Sequence, residues 1–155
     1  MANGKLKIAT CQFAVSADIK ANAKSVCKFI MLAARKDAEI VHFPECAMSG
    51  YAGVDIGDTS EIDWPLLESE TKKVMALAEK FGVWVVLGST HRLTEPNKPT
   101  NCQYLINSKG MIEDRYDKRF LMPGDIGKYT AGNRTVIFEI NSVRCALMIC
   151  FELRF

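Results

Sequence analysis

Three residues at the ends of strand-like runs, two of them apolar, are equipped for acid–base and nucleophilic chemistry. Cys150 follows Ala146-Leu147-Met148-Ile149. A thiol at the C-terminal tip of a buried strand sits where open α/β sheets place reactive groups. A sharp turn there would expose the sulfur and aim backbone N–H groups beside it. Glu45 follows Ile40-Val41-His42-Phe43-Pro44, and a carboxylate at such a tip, against an apolar wall, can act as a general base. Lys118 closes Ile112-Glu113-Asp114-Arg115-Tyr116-Asp117 and could be a fixed cation near developing negative charge. Each also has an ordinary reading taken alone: an inert buried thiol, a loop acid or cap, and one solvated charge beside Arg115, Asp117 and Arg119.

The elements that must position them follow from periodicity. Residues 6–13 alternate and predict a strand. Apolar residues at 19, 23, 26, 27, 30 and 34 mark one face of a helix over 18–35, with Asp18 as its cap. Residues 39–43 predict a short buried strand ended by Pro44. Residues 46–63 are rich in Gly, Ser and Asp and predict a long loop. A second helix starts near Pro65 and stops at Gly82, with Leu67, Val74, Leu77, Ala78 and Phe81 as its stripe. Residues 83–91 predict a strand, 94–100 a turn, and 104–107 with 111–116 a pair across Ser108-Lys109-Gly110. Residues 118–134 hold three glycines and one proline and predict a loop. Residues 135–140 and 143–149 predict a hairpin about Asn141-Ser142. Early alternation of strand and helix, then hairpins, implies a mixed α/β sheet covered by helices on one face. The other face should then need a further layer.

Composition narrows the partners. The chain has 155 residues, 48% hydrophobic and 25% charged, with a formal net charge of +2. These are ordinary globular values for one domain. No basic cluster suggests nucleic acid, and no apolar run approaches a membrane span. The N-terminus lacks the apolar stretch of a signal peptide. Six cysteines show neither CxxC spacing nor pairing, which fits buried free thiols in a reducing cytoplasm. Two histidines, His42 and His91, lie in strand patterns as core or edge residues and are too few for a histidine triad or a zinc site.

Together, in the order Glu, Lys, Cys, the contexts Phe43-Pro44-Glu45, Tyr116-Asp117-Lys118-Arg119-Phe120-Leu121 and Leu147-Met148-Ile149-Cys150-Phe151-Glu152-Leu153-Arg154-Phe155 resemble the three catalytic motifs of the carbon–nitrogen hydrolase (nitrilase) family. Phe43 to Tyr51 and the opening Lys7-Ile8-Ala9-Thr10-Cys11-Gln12-Phe13 match its style as well. The resemblance runs from Leu6 to Phe155 and implies an αββα sandwich, of which this chain covers the first sheet-and-helix half up to the nucleophile turn. It also implies a mechanism. Glu45 takes the thiol proton, and Cys150 attacks an amide, nitrile or carbamoyl carbon. Lys118 and the Phe151 N–H steady the oxyanion, and a thioester forms and is hydrolysed. No metal or organic cofactor is implied. Acyl transfer to an amine is the variant chemistry.

Some family members carry a second glutamate after the lysine; here Asp125 is the acid available, as a supporting residue or a plain turn residue. Tyr51 is a candidate for the substrate pocket, and Glu152 with Arg154 for an ion pair orienting the turn. A cation beside Glu45 and Cys150 should lower both pKa values and couple the three titrations. The family chain continues beyond the turn, so the domain at 1–155 reads as truncated after its nucleophile, with an exposed inner sheet face. The competing reading is an inactive fragment that self-associates or only binds ligand. A complete fold should form a homo-oligomer, as the family does.

Overall fold

The computed structural model describes residues 4–155. Strand β1 (Ile8–Thr10) leads into α1 (Ile19–Ala34), and β2 (Ile40–His42) leads through a long loop into α2 (Trp64–Phe81). Asp18 caps α1 by accepting the N–H groups of Lys20 and Ala21. Asp63 caps α2 through Leu66, and Gly82 ends it in the left-handed conformation at φ 63°. Strands β3 (Trp84–His91), β4 (Thr100–Ile106) and β5 (Ile112–Asp117) complete a five-stranded sheet in the order β1-β2-β3-β4-β5. The first three strands run parallel, and β3-β4-β5 pair antiparallel. The expected mixed sheet therefore forms.

Its two faces carry different layers. Helices α1 and α2 bury Ala23, Val26, Ile30, Leu67, Val74 and Ala78 against Val41, Val85 and Leu87 on one face. The other face was expected to lie bare, and it does not. Strands β6 (Ile137–Ile140) and β7 (Val143–Ala146) form a second, two-stranded sheet. Val136, Ile140, Leu147 and Ile149 pack with Ile40, Val86, Leu105 and Tyr116 of the main sheet. Asn141 and Ser142 turn this hairpin with φ 50° and 63°, the paired positive values of a two-residue turn that matches strand twist.

Boundaries differ from expectation where tertiary contacts override pattern. Strand β1 keeps three residues of the eight expected, because its ladder partner β2 is itself three residues long. Strand β4 starts at Thr100, inside the expected turn, because it pairs with β3 as far as His91. The loop after Glu45 holds a capped 3₁₀ turn at Thr59–Glu61. Strand β7 stops at Ala146, so Leu147–Ile149 reach Cys150 outside any regular strand. Among the described residues no helix is long and apolar enough to cross a membrane. All six cysteines are free: Cys11, Cys46 and Cys102 are buried, Cys27 and Cys145 half-buried, and Cys150 exposed.

Candidate active site

Glu45 leaves strand β2 through Pro44, and the chain turns at once, with Cys46 at φ 52°. Gly88 makes this turn possible. A Cβ there would sit 1.9 Å from the Pro44 carbonyl oxygen, so only glycine lets the Glu45 turn lie flat on β3. Buried Asn22 of α1 donates to the Ser16 and Met48 carbonyls and fixes the loop that follows.

Lys118 stands directly after β5, where its N–H bonds the Asn101 carbonyl at 2.9 Å. Its side chain is fully buried. Nζ lies 2.7 Å from Glu45 Oε1 and 2.8 Å from Asp125 Oδ2. A buried ammonium is tolerated only when paired in this way. Burial acts to lower the Lys118 pKa; hydrogen bonds to Asp125 and Glu45, with the two negative charges, outweigh it and leave the pKa above the ordinary lysine value. Burial would raise the Asp125 carboxyl; hydrogen bonds from Lys118, Tyr51 and the Met122 N–H, with the lysine charge, carry it below the usual range instead. Asp125 is thus a buried partner of Lys118 and not a bare turn residue. The Tyr51 hydroxyl donates to its other oxygen. Burial first, then that hydrogen bond and the carboxylate charges, keep the Tyr51 phenol protonated.

Cys150 opens a 3₁₀ helix, Cys150–Arg154, with its own φ at 49°. A non-glycine residue in that region is a strained corner, the geometry that presents a nucleophile. Glu152 holds the corner. Its Oε2 accepts the Ile149 N–H at 2.7 Å. Its Oε1 accepts the Tyr116 hydroxyl at 2.7 Å and the N–H groups of Arg119 and Phe120 at 2.8 and 3.2 Å. The expected ion pair with Arg154 is absent, because Glu152 is fully used by these donors. Arg154 lies over the Phe151 ring instead, 5.5 Å from its centre. Glu152 therefore ties the Cys150 turn to the chain on both sides of Lys118.

Glu45 and Cys150 line one cleft of about 540 Å³ with Tyr51, Val54, Met122 and Lys128 among others, and the buried Lys118 stands behind Glu45. The expected lowering of the thiol pKa does not occur. Burial raises it, and the charge and hydrogen bond of Glu45 raise it further, against the opposing pull of Lys118 and the Phe151 N–H. Cys150 is therefore held towards the thiol form, with the Glu45 side chain beside it. Asn101 lies outside the strand expected over 104–107, yet it belongs to the site. It is buried on β4 and donates to Glu45 Oε1 at 2.6 Å. A polar residue two positions before Gln103, on the same face of a strand, is the signal that could have found it. Among the described residues no group of three or more His, Cys, Asp or Glu side chains could hold a metal ion.

The profile of the carbon-nitrogen hydrolase family matches residues 7–155. The chain belongs to the carbon–nitrogen hydrolase family. Human deaminated glutathione amidase is 26% identical to this hydrolase-family chain over 163 residues, covering 96% of it and 49% of the relative. The 2-oxoglutaramate amidase of Bacillus subtilis (strain 168) is 26% identical over 153 residues, covering 97% and 58%. The C. elegans NitFhit protein superposes with a TM-score of 0.82 at 27% identity, covering the whole chain and 40% of that protein. The chain spans about half the length of the curated relatives it matches. The fold is accordingly the nitrilase fold of the α/β class.

Proposed function

We propose that this protein hydrolyses the carbon–nitrogen bond of a small amide through a Cys150 thioester. The observation that carries the reading is that Glu45 and Cys150 line one cleft, with Glu45 held on Oε1 by two donors, Asn101 and the buried Lys118. That anchoring leaves Oε2 as the oxygen available to a proton. Glu45 takes the thiol proton as Cys150 Sγ attacks the carbonyl carbon. The carbonyl oxygen gains negative charge and is met by the Phe151 N–H and Lys118. Lysine has three donors, and two are spent on carboxylates, so one remains for the oxyanion. Glu45 then protonates the nitrogen, ammonia leaves, and an acyl thioester remains on Cys150. Water attacks the thioester, Glu45 takes its proton and returns it to sulfur, and a carboxylic acid departs.

Both curated relatives are named as amidases, which favours an amide over a nitrile or a carbamoyl group. No step requires a metal or an organic cofactor. Six free cysteines suit a reducing compartment, and the cytoplasm is the proposed location. Ile8, Ile137, Met148, Leu153 and Phe155 are exposed, and such a surface supports self-association into a homo-oligomer. The test is ammonia release from small primary amides. Release that disappears in Cys150→Ser supports the reading, and release that persists in that variant overturns it.

A further inference from the structure

A second cleft, of about 580 Å³, shares no lining residue with the one at Cys150. It lies between α2 and strands β3 and β4, on the helix-covered face of the main sheet. Trp64, Leu67 and Met75 of α2 and Ile112 of β5 supply apolar walls. Alternation along β3 decides which of its residues face them. Leu87 packs in the core cluster under α1 and α2, so Ser89 and His91 point to the same side. Tyr104 stands opposite Leu87 in the ladder and joins that face from β4.

Most polar groups of this cleft are already engaged. The Tyr104 hydroxyl and His91 Nδ1 share a hydrogen bond of 2.7 Å. Thr71 donates to the Leu67 carbonyl at 2.8 Å. Lys72 pairs with Glu68 at 2.7 Å, and Arg92 lies over the Trp64 ring, 5.9 Å from its centre. Ser89 differs. Its Oγ is fully buried and has no hydrogen-bond partner among the described residues. A buried hydroxyl left unpaired costs about 1 to 3 kcal/mol, so it calls for a partner from outside the chain. A water is a poor one, because it needs at least two polar neighbours. Directly across the ladder from Ser89 stands only buried Cys102, whose thiol is a weak donor and acceptor.

The charges around the cleft do not ask for an ion. Glu68 and Lys72 match each other, and Arg92 rests on an aromatic face. Burial first, then the Arg115 charge, lower the His91 pKa against the pull of Asp117, which favours the neutral ring. Aromatic and aliphatic walls with one free hydroxyl describe a pocket for a flat, uncharged molecule.

We infer that this cleft is a second binding site, for a small neutral aromatic ring bearing one hydroxyl, with the ring against Trp64 and the hydroxyl on Ser89. The site is separate from the chemistry at Cys150 and takes no part in bond breaking. Ser89 is its polarity-reading residue, able to donate to the ligand or accept from it.

The test titrates phenol and toluene, which carry a hydroxyl or a methyl group on the same ring, into the protein and into Ser89→Ala. Binding is read from the indole N–H resonances by two-dimensional NMR, with Trp84→Phe used to assign the two tryptophans. Phenol is expected to shift the Trp64 resonance and not that of Trp84. Ser89→Ala is expected to weaken phenol by about fivefold to tenfold and to leave toluene within about twofold, the effect of one neutral hydrogen bond. The same variant should melt no lower than the unmutated protein, because no internal hydrogen bond is lost. A silent Trp64 resonance with phenol would mean that the cleft takes water or nothing, and would overturn the inference without any variant. Phenol affinity unchanged in Ser89→Ala, equal weakening of both ligands, or a lowered melting temperature from a hydroxyl bonded within the fold would overturn it as well.

Discussion

Asn101 Nδ2 lies 2.6 Å from Glu45 Oε1, on the same oxygen that Lys118 holds at 2.7 Å. Two donors from different parts of the sheet thus pin one oxygen of the proposed base and leave the other for proton transfer. Asn101→Ala should lower kcat by about tenfold to a hundredfold through misplacement of Glu45, with a smaller change in KM. Steady-state kinetics with a thermal-melt control check this. A change confined to KM would assign Asn101 to substrate binding instead.

Glu45 raises the Cys150 pKa and is also the group proposed to receive the thiol proton. Glu45→Gln should therefore separate two properties. Turnover should fall by roughly 10² to 10⁴, the range for losing a general base. The pH midpoint for alkylation of Cys150 should move down, because Lys118 and the Phe151 N–H then act without an opposing carboxylate. Iodoacetamide labelling read by peptide mass across pH tests this. Buried Cys46, with its thiol pushed up to about 12, should stay unlabelled. A midpoint that rises in Glu45→Gln would contradict this electrostatic account.

Asp125 should stabilise the fold as much as it serves the site. Asp125→Ala leaves the buried Lys118 ammonium with one carboxylate and should cost about 3 kcal/mol. The sign with pH follows from the two shifts. The depressed Asp125 pKa gives stability present above its unfolded value, near pH 4, and lost as pH falls through the lower folded value. The raised Lys118 pKa gives stability fully present below its unfolded value, near pH 10, and lost as pH rises through the higher folded value. Denaturant unfolding from pH 3 to 7 should show a shallower acid loss in Asp125→Ala than in the unmutated protein. An equal acid loss would place the titrating group elsewhere.

Glu152 should matter through its acceptors and not through an ion pair. Glu152→Ala strands four donors, two of them buried, and should destabilise by about 3 kcal/mol, while Arg154→Ala should stay within about 0.5 kcal/mol. Chemical denaturation of both variants provides the comparison. Equal losses would restore the ion-pair explanation.

How much of this was legible in the chain depends on the range of the contacts involved. Helices α1 and α2 are written in local code: Asp18 and Asp63 as caps, Gly82 as the stop, and apolar stripes at helical spacing. Cys150 and Glu45 stood out as candidates by their places after apolar runs, and Lys118 by the motif around it; the structure sets Glu45 against Lys118 and into one cleft with Cys150. The meeting of Asn101 with Glu45 spans 56 positions, and that of Glu152 with Tyr116 spans 36. Neither leaves a periodic trace. The layer formed by β6 and β7 depends on Leu147 and Ile149 packing across to Leu105 and Tyr116, a pairing of sheets that no local pattern encodes. Asp125 and Tyr51 were visible as separate candidates. Their hydrogen bond, and their shared use of Lys118, came only with the fold.

The most direct test of the central claim, that Cys150 carries the acyl group, is acid quenching during turnover of an amide, followed by peptide mass mapping. The account predicts an acyl adduct, equal to the amide minus ammonia, on the peptide containing Cys150 and on no other cysteine. Ammonia release with Cys150 unmodified, or an adduct at another residue, would contradict it.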